Sequence, residues 1–180
     1  WLAPRRWKNG VLFLASLVFY AWGEPIYILL MLFSTVVDYT CALGVHRYRA
    51  DQRKARCFLL ASIVINLGLL GFFKYADWLL LSLNSWLGSE IPLFQLALPI
   101  GISFYTFHTM SYAIDVYRGD APVQKNIVSL GAYVTLFPQL IAGPIVRYST
   151  VAEQIDQRQE TVDTFGQGAQ RFVIGLGKKV

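Results

Sequence analysis

The sequence predicts an all-α integral membrane protein: a multi-helix bundle with short, broken or re-entrant segments around a tunnel. Three observations carry that prediction. First, 55% of the 180 residues are apolar, 15% aromatic and only 15% charged, against about 25% charged in an ordinary soluble domain. Mean hydropathy is +0.44, so there is too little polar surface to cover a water-soluble globule. Second, the apolar residues fall in runs near the roughly 20 that a helix needs to cross the hydrocarbon core. Third, proline and glycine interrupt the later runs, and non-helical backbone at membrane depth is tolerated only where protein buries it or it lines a water-filled cavity.

Residues 7–22 form a short first run, closed by Gly23-Glu24-Pro25. Residues 26–45 make a second, interrupted only by Asp38, and 57–73 a third that ends at Lys74; the apolar piece 79–87 is too brief to span. The longest run, 91–114, contains Pro92 and the break Leu98-Pro99-Ile100-Gly101. A last run, 127–146, carries Pro138, Gly143 and Pro144.

Orientation follows from the basic loops, because Lys and Arg in short loops stay on the cytoplasmic side. The stretch HRYRADQRKAR at 46–56 sets five basic residues against Asp51, and Arg5, Arg6 and Lys8 stand at the N-terminal end of the first run. Both are expected to be cytoplasmic in a multi-pass protein. Arg147, Arg158, Arg171, Lys178 and Lys179 follow the last run, which a full crossing would put outside. A re-entrant segment beside a cavity resolves the conflict.

From 149 to 180 the composition turns polar. Thr150 and Glu153 have the spacing of a capping box, and Val162, Phe165, Ala169, Phe172, Val173 and Leu176 recur at helical spacing. Amphipathic helices against the cytoplasmic face are expected, with membrane lipid as the surroundings. The net charge of +5 reads as topology, and no nucleic-acid module or partner is indicated. Cys41 and Cys57 lie outside any metal-ligand or disulfide pattern, so no metal and no bound cofactor are expected. The chain opens on Trp1 rather than Met and closes within a helical pattern, so it is expected to be incomplete at both ends.

Some polar residues of the 91–114 run and its exit share a face. At about 100° per residue Tyr105, His108, Tyr112 and Asp115 line up, with Ser111 at the edge, while Phe107, Met110 and Ile114 point away. Polar groups in a membrane face the bundle interior or a wet path, so the stripe is a candidate tunnel wall; interhelical hydrogen bonding is the plainer reading. His108 has the side chain of a general base, but no nucleophile or orienting carboxylate stands with it in the sequence. Asp38 is expected to pair inside the bundle, and Lys74 with Asp77 at the membrane interface. His46 and Asp51 have the H-x-x-x-x-D spacing of glycerolipid acyltransferases, in a loop whose basic residues topology already explains.

The stretches LPIGISFYTFHTMSYAIDVYRGD at 98–120 and TLFPQLIAGPIVRY at 135–148, with YAWGEP at 20–25 and GFFKYADW at 71–78, resemble the membrane-bound O-acyltransferase family, and within it the alginate O-acetyltransferase branch. The resemblance implies that helices surround a tunnel through which an acyl group from a cytoplasmic donor, such as acetyl-CoA as substrate, reaches an acceptor outside. It implies periplasmic acetyl-transfer proteins as partners. It also places the essential histidine of the family beyond Val180, so that no catalytic residue is expected here, His108 included, since relatives commonly carry glutamine there. Pro138, Gln139, Gly143 and Pro144 then supply polar groups of the broken segment, and Arg147 steadies an anionic donor or anchors to lipid phosphate.

The expected activity is therefore acetyl transfer for O-acetylation of an exported polysaccharide, alginate first, by the full-length protein, with this portion inactive alone. A secondary transporter and a non-catalytic membrane scaffold are the alternatives.

Overall fold

A computed structural model of the chain describes residue 4 and residues 7–88, 90–140, 143, 146–158 and 161–179, with the backbone alone for Asp156. Its regular elements are α-helices: α1 Lys8–Gly23, α2 Ile28–Arg47, α3 Gln52–Leu87, α4 Ile102–Arg118, α5 Ile127–Thr135, α6 Phe137–Leu140, α7 Tyr148–Gln157 and α8 Val162–Lys179. Among the described residues two helices, α2 and α3, are long and apolar enough to cross a membrane. Much of α3 is apolar yet uncovered, with Val64 65% and Trp86 89% exposed. Apolar surface on that scale is unfavourable in water and at home in lipid.

Helix α2 packs against α3 and α4, α1 against α5, and α7 against α4 and α5. Met31, Ala42, Leu70, Tyr105, Tyr112 and Leu130 are among the buried residues of the common core. The α2–α3 turn is closed by local chemistry. Asp51 caps α3 by accepting the N–H groups of Arg53 and Lys54 at 3.2 and 3.3 Å, and Tyr48 stacks on Phe58 at 5.6 Å. Gly44 makes room for that ring, since a Cβ there would meet Phe58 at 2.6 Å.

Two runs differ from the sequence expectation. The third does not stop at Lys74: α3 continues as one helix of 36 residues, about 54 Å long at 1.5 Å per residue. The expected Lys74–Asp77 pair does not form. Lys74 lies over the Tyr75 ring, while Asp77 Oδ1 accepts the Phe94 N–H at 2.8 Å. The longest run does not begin as a helix either, because residues 90–99 carry no regular structure. Pro92 and Pro99 cannot supply helical N–H donors, and side chains satisfy part of the freed backbone. Asn84 exchanges two hydrogen bonds with Ile91, Tyr27 donates to the Ala97 carbonyl at 2.8 Å, and Tyr20 to that of Ile100 at 3.0 Å.

The last run is broken. Helix α5 ends at Thr135, where Pro138 lacks the N–H that would continue the ladder. Gln139 and Leu140 return hydrogen bonds to the Leu136 carbonyl. Gly143 lies so close to Gln139 that a Cβ would meet its Cα at 2.4 Å. The start of α4 touches the same place, since Gly101, at φ +77°, faces the Leu140 carbonyl. Pro144 lies outside the described residues, as do Arg5 and Arg6.

The capping box expected at Thr150 and Glu153 is not used, because α7 starts earlier, at Tyr148, with no side-chain cap at Arg147. A reciprocal cap opens α8 instead: Thr161 Oγ1 accepts from the Thr164 N–H and Thr164 Oγ1 from the Thr161 N–H, at 3.1 and 3.0 Å.

Candidate functional site

The face of α4 predicted from periodicity points inward. Tyr105, His108, Tyr112 and Asp115 are all buried, Ser111 is half-buried at their edge, and Phe107 on the opposite side is 41% exposed. His108 is held by backbone on both ring nitrogens. A carbonyl can only accept, so the 3.1 Å contact with Phe104 O makes Nδ1 the donor. Nε2 in turn accepts the Val146 N–H at 3.3 Å. A neutral imidazole thus ties α4 to the chain beyond the broken segment, and no free lone pair is left on the ring.

Around it lies a cluster that one-dimensional periodicity does not reveal. Tyr133 meets the His108 ring edge-on at 5.7 Å and donates to the Val146 carbonyl. Tyr148 packs edge-on against both Tyr112 and Tyr133, at 4.8 and 5.3 Å. Tyr112 accepts the Gln124 N–H, and the Gln124 side chain donates to Tyr148. The three tyrosines come from α4, α5 and α7, so they knit those elements together.

A cavity of about 270 Å³ opens between α1, α5, α6 and α7. Leu12, Tyr133, Leu136, Val151 and Ile155 give it apolar walls, and Asn9, Gln139, Gln154 and Arg158 its polar points. Asn9 donates to Ser129 Oγ and the Ile155 carbonyl and accepts from Arg158 at 2.8 Å. Of the residues singled out in the sequence, Gln139 lines this cavity. Tyr105, His108, Ser111, Tyr112 and Asp115 do not, although Tyr133 links His108 to its wall. Pro138 and Arg147 are exposed, and Arg158 rather than Arg147 supplies the cation at the rim.

Three buried polar atoms here have no hydrogen-bond partner: Tyr105 Oη, Asp115 Oδ2 and Gln139 Oε1. Each such atom costs about 1–3 kcal/mol when left unsatisfied. A second polar cluster lies between α2, α3 and α4. The fully buried Asp38 accepts from Ser62 Oγ on Oδ1, and from Asn66 Nδ2 on Oδ1 at 2.7 Å and Oδ2 at 2.9 Å, with Thr109 of α4 beside it. His46 is exposed and makes no contact with Asp51, which is engaged in capping.

Over its whole length the chain is 42% identical to the probable alginate O-acetylase AlgI of Pseudomonas aeruginosa, covering 35% of that protein. The chain is homologous to the N-terminal part of this membrane-bound O-acyltransferase. A second relative of this family, the probable alginate O-acetylase AlgI of Azotobacter vinelandii, is 40% identical, with all of the chain and 37% of that protein covered. The peptidoglycan O-acetyltransferase of Helicobacter pylori is 33% identical over 99% of the chain and 38% of its own length. The chain thus spans little more than a third of these relatives and matches the N-terminal part of the alginate O-acetylases. No family model matches it, and no solved structure does.

Proposed function

We propose that this chain is part of a membrane O-acetyltransferase that passes acetyl groups from a cytoplasmic donor, such as acetyl-CoA, through the inner membrane to an exported polysaccharide, alginate first. The observation that carries the reading is the similarity of the whole chain to proteins named for O-acetylation. The geometry supports it from a second side. Tyr105, Asp115 and Gln139 keep unpaired polar atoms inside an apolar bundle, a costly arrangement unless water or a polar substrate group reaches them.

The stripe on α4 and Gln139 would form one wall of the passage, and Asn9 with Arg158 its cytoplasmic mouth. Arg147, which is exposed, would serve as an anchor to lipid phosphate. With both nitrogens of His108 spent on backbone, these residues would shape the passage rather than abstract a proton. Loop 46–56 would face the cytoplasm, and periplasmic partner proteins would receive the acetyl group.

The test is the acetyl content of the exopolysaccharide in a strain lacking the gene, with and without the full-length gene returned. Loss on deletion and recovery on return support the reading. An unchanged acetyl content on deletion overturns it.

A further inference from the structure

No described residue of α8 is buried. Most of its 18 residues nevertheless sort into two faces at about 100° per residue, with Ile174 the apolar exception on the polar side. Val162, Phe165, Ala169, Phe172, Val173 and Leu176 share one arc, with Phe165 71% and Phe172 70% exposed. Gln167, Arg171 and Lys178 occupy the opposite side. Glycines at 166, 168, 175 and 177 meet nothing within 4 Å. A helix so rich in glycine is weak in water, and short helices draw most of their stability from packing an apolar face. An apolar phase outside these residues therefore has to support it.

Charge says which phase. Arg171, Lys178 and Lys179 stand against Asp163 as the single acidic residue of the helix. A basic polar face opposite an aromatic and aliphatic arc is the composition of a helix lying in a membrane interface. We propose that α8 lies on an anionic phospholipid surface, its Phe165–Phe172 arc sunk at the headgroup boundary and Arg171, Lys178 and Lys179 bound to lipid phosphates. A membrane is the fitting surroundings because α2 and α3 are long and apolar enough to cross one. The proposal is independent of acetyl transfer and is read without an activity assay.

The experiment uses the full-length protein in nanodiscs, with Cys41→Ala and Cys57→Ser as background and a spin label at Phe172→Cys or Gln167→Cys. Collisional access to oxygen and to a water-soluble nickel chelate is measured in phosphatidylcholine discs with and without phosphatidylglycerol. With phosphatidylglycerol, position 172 should be open to oxygen and closed to nickel, and position 167 open to nickel. Omitting the anionic lipid should remove the nickel protection at 172. The triple variant R171Q, K178Q and K179Q should remove it too, since basic residues contribute roughly fivefold each to surface attraction, about a hundredfold for three. A position 172 closed to both reagents would show protein covering the arc and overturn the proposal. So would protection indifferent to lipid charge, or nickel access in anionic discs; the lipid exchange on the unaltered basic residues decides even if the triple variant fails to fold.

Discussion

The Val146 N–H donates to His108 Nε2 at 3.3 Å, across 38 residues of sequence. That bond closes the broken segment against α4, and with Nδ1 bound to Phe104 it makes His108 a strut. A glutamine can offer an amide oxygen at the same reach, so His108→Gln should keep near-normal acetylation of exported polymer in cells. His108→Leu leaves the half-buried Val146 N–H without its acceptor, a lost hydrogen bond worth about 0.5–1.5 kcal/mol, and should lower both the amount of folded protein and acetylation. A complete loss of acetylation in His108→Gln at normal protein level would instead make the imidazole a reacting group.

Gly101 opens α4 at φ +77°, and a Cβ there would stand 2.8 Å from the Leu140 carbonyl oxygen. Left-handed backbone costs a non-glycine residue roughly 1–2 kcal/mol, and the close approach adds to it. Gly88, at φ +62° with nothing within 4 Å, carries the conformational cost alone. Gly101→Ala should therefore lower the thermal midpoint of the detergent-solubilised protein more than Gly88→Ala. Equal shifts would mean that the contact with Leu140 yields easily.

The inward face of α4 was legible because its period sorts Tyr105, His108, Tyr112 and Asp115 from Phe107 without any knowledge of neighbours. The interruption after Thr135 was legible for a similar reason, since Pro138 removes a backbone donor wherever it stands. What the sequence hid depends on partners far along the chain. Residues 91–101 read as an extension of α4 because an apolar run looks alike in a helix and in an irregular segment tied down by side chains. The bonds of Asp77 to Phe94, Asn84 to Ile91, Tyr27 to Ala97 and Tyr20 to Ile100 distinguish them. Likewise Asn9 and Arg158 meet at the cavity across 149 residues, and Tyr133 and Tyr148 join the stripe from other helices.

Asp38 is fully buried, with Ser62 and Asn66 both donating to its carboxylate. Asp38→Ala orphans two buried donors, each worth about 1–3 kcal/mol unsatisfied, whereas Ser62→Ala removes a single donor and leaves Asn66 in place. The alanine at 38 should therefore reduce the thermal midpoint well beyond the alanine at 62. Because the cluster joins α2, α3 and α4, the loss should loosen the whole bundle. Similar small shifts for both variants would show that the cluster is hydrated rather than sealed.

Asp51 lies outside the membrane segments, and its carboxyl is held below the usual carboxylate range, first by the Lys54 N–H, then by the Lys54 ammonium. The ordinary value is about 3.9. A carboxyl lowered by folding stabilises the folded state fully above that value, and the contribution disappears as pH falls through the lower folded one. The midpoint gap between native protein and Asp51→Ala should stay constant from neutral pH down to about 4 and shrink below it. Asparagine also caps helices without a charge, so Asp51→Asn should retain much of the stability at neutral pH and show a weaker acid dependence. A gap that widens in acid would mean that Asp51 acts through something other than its ionised cap on α3.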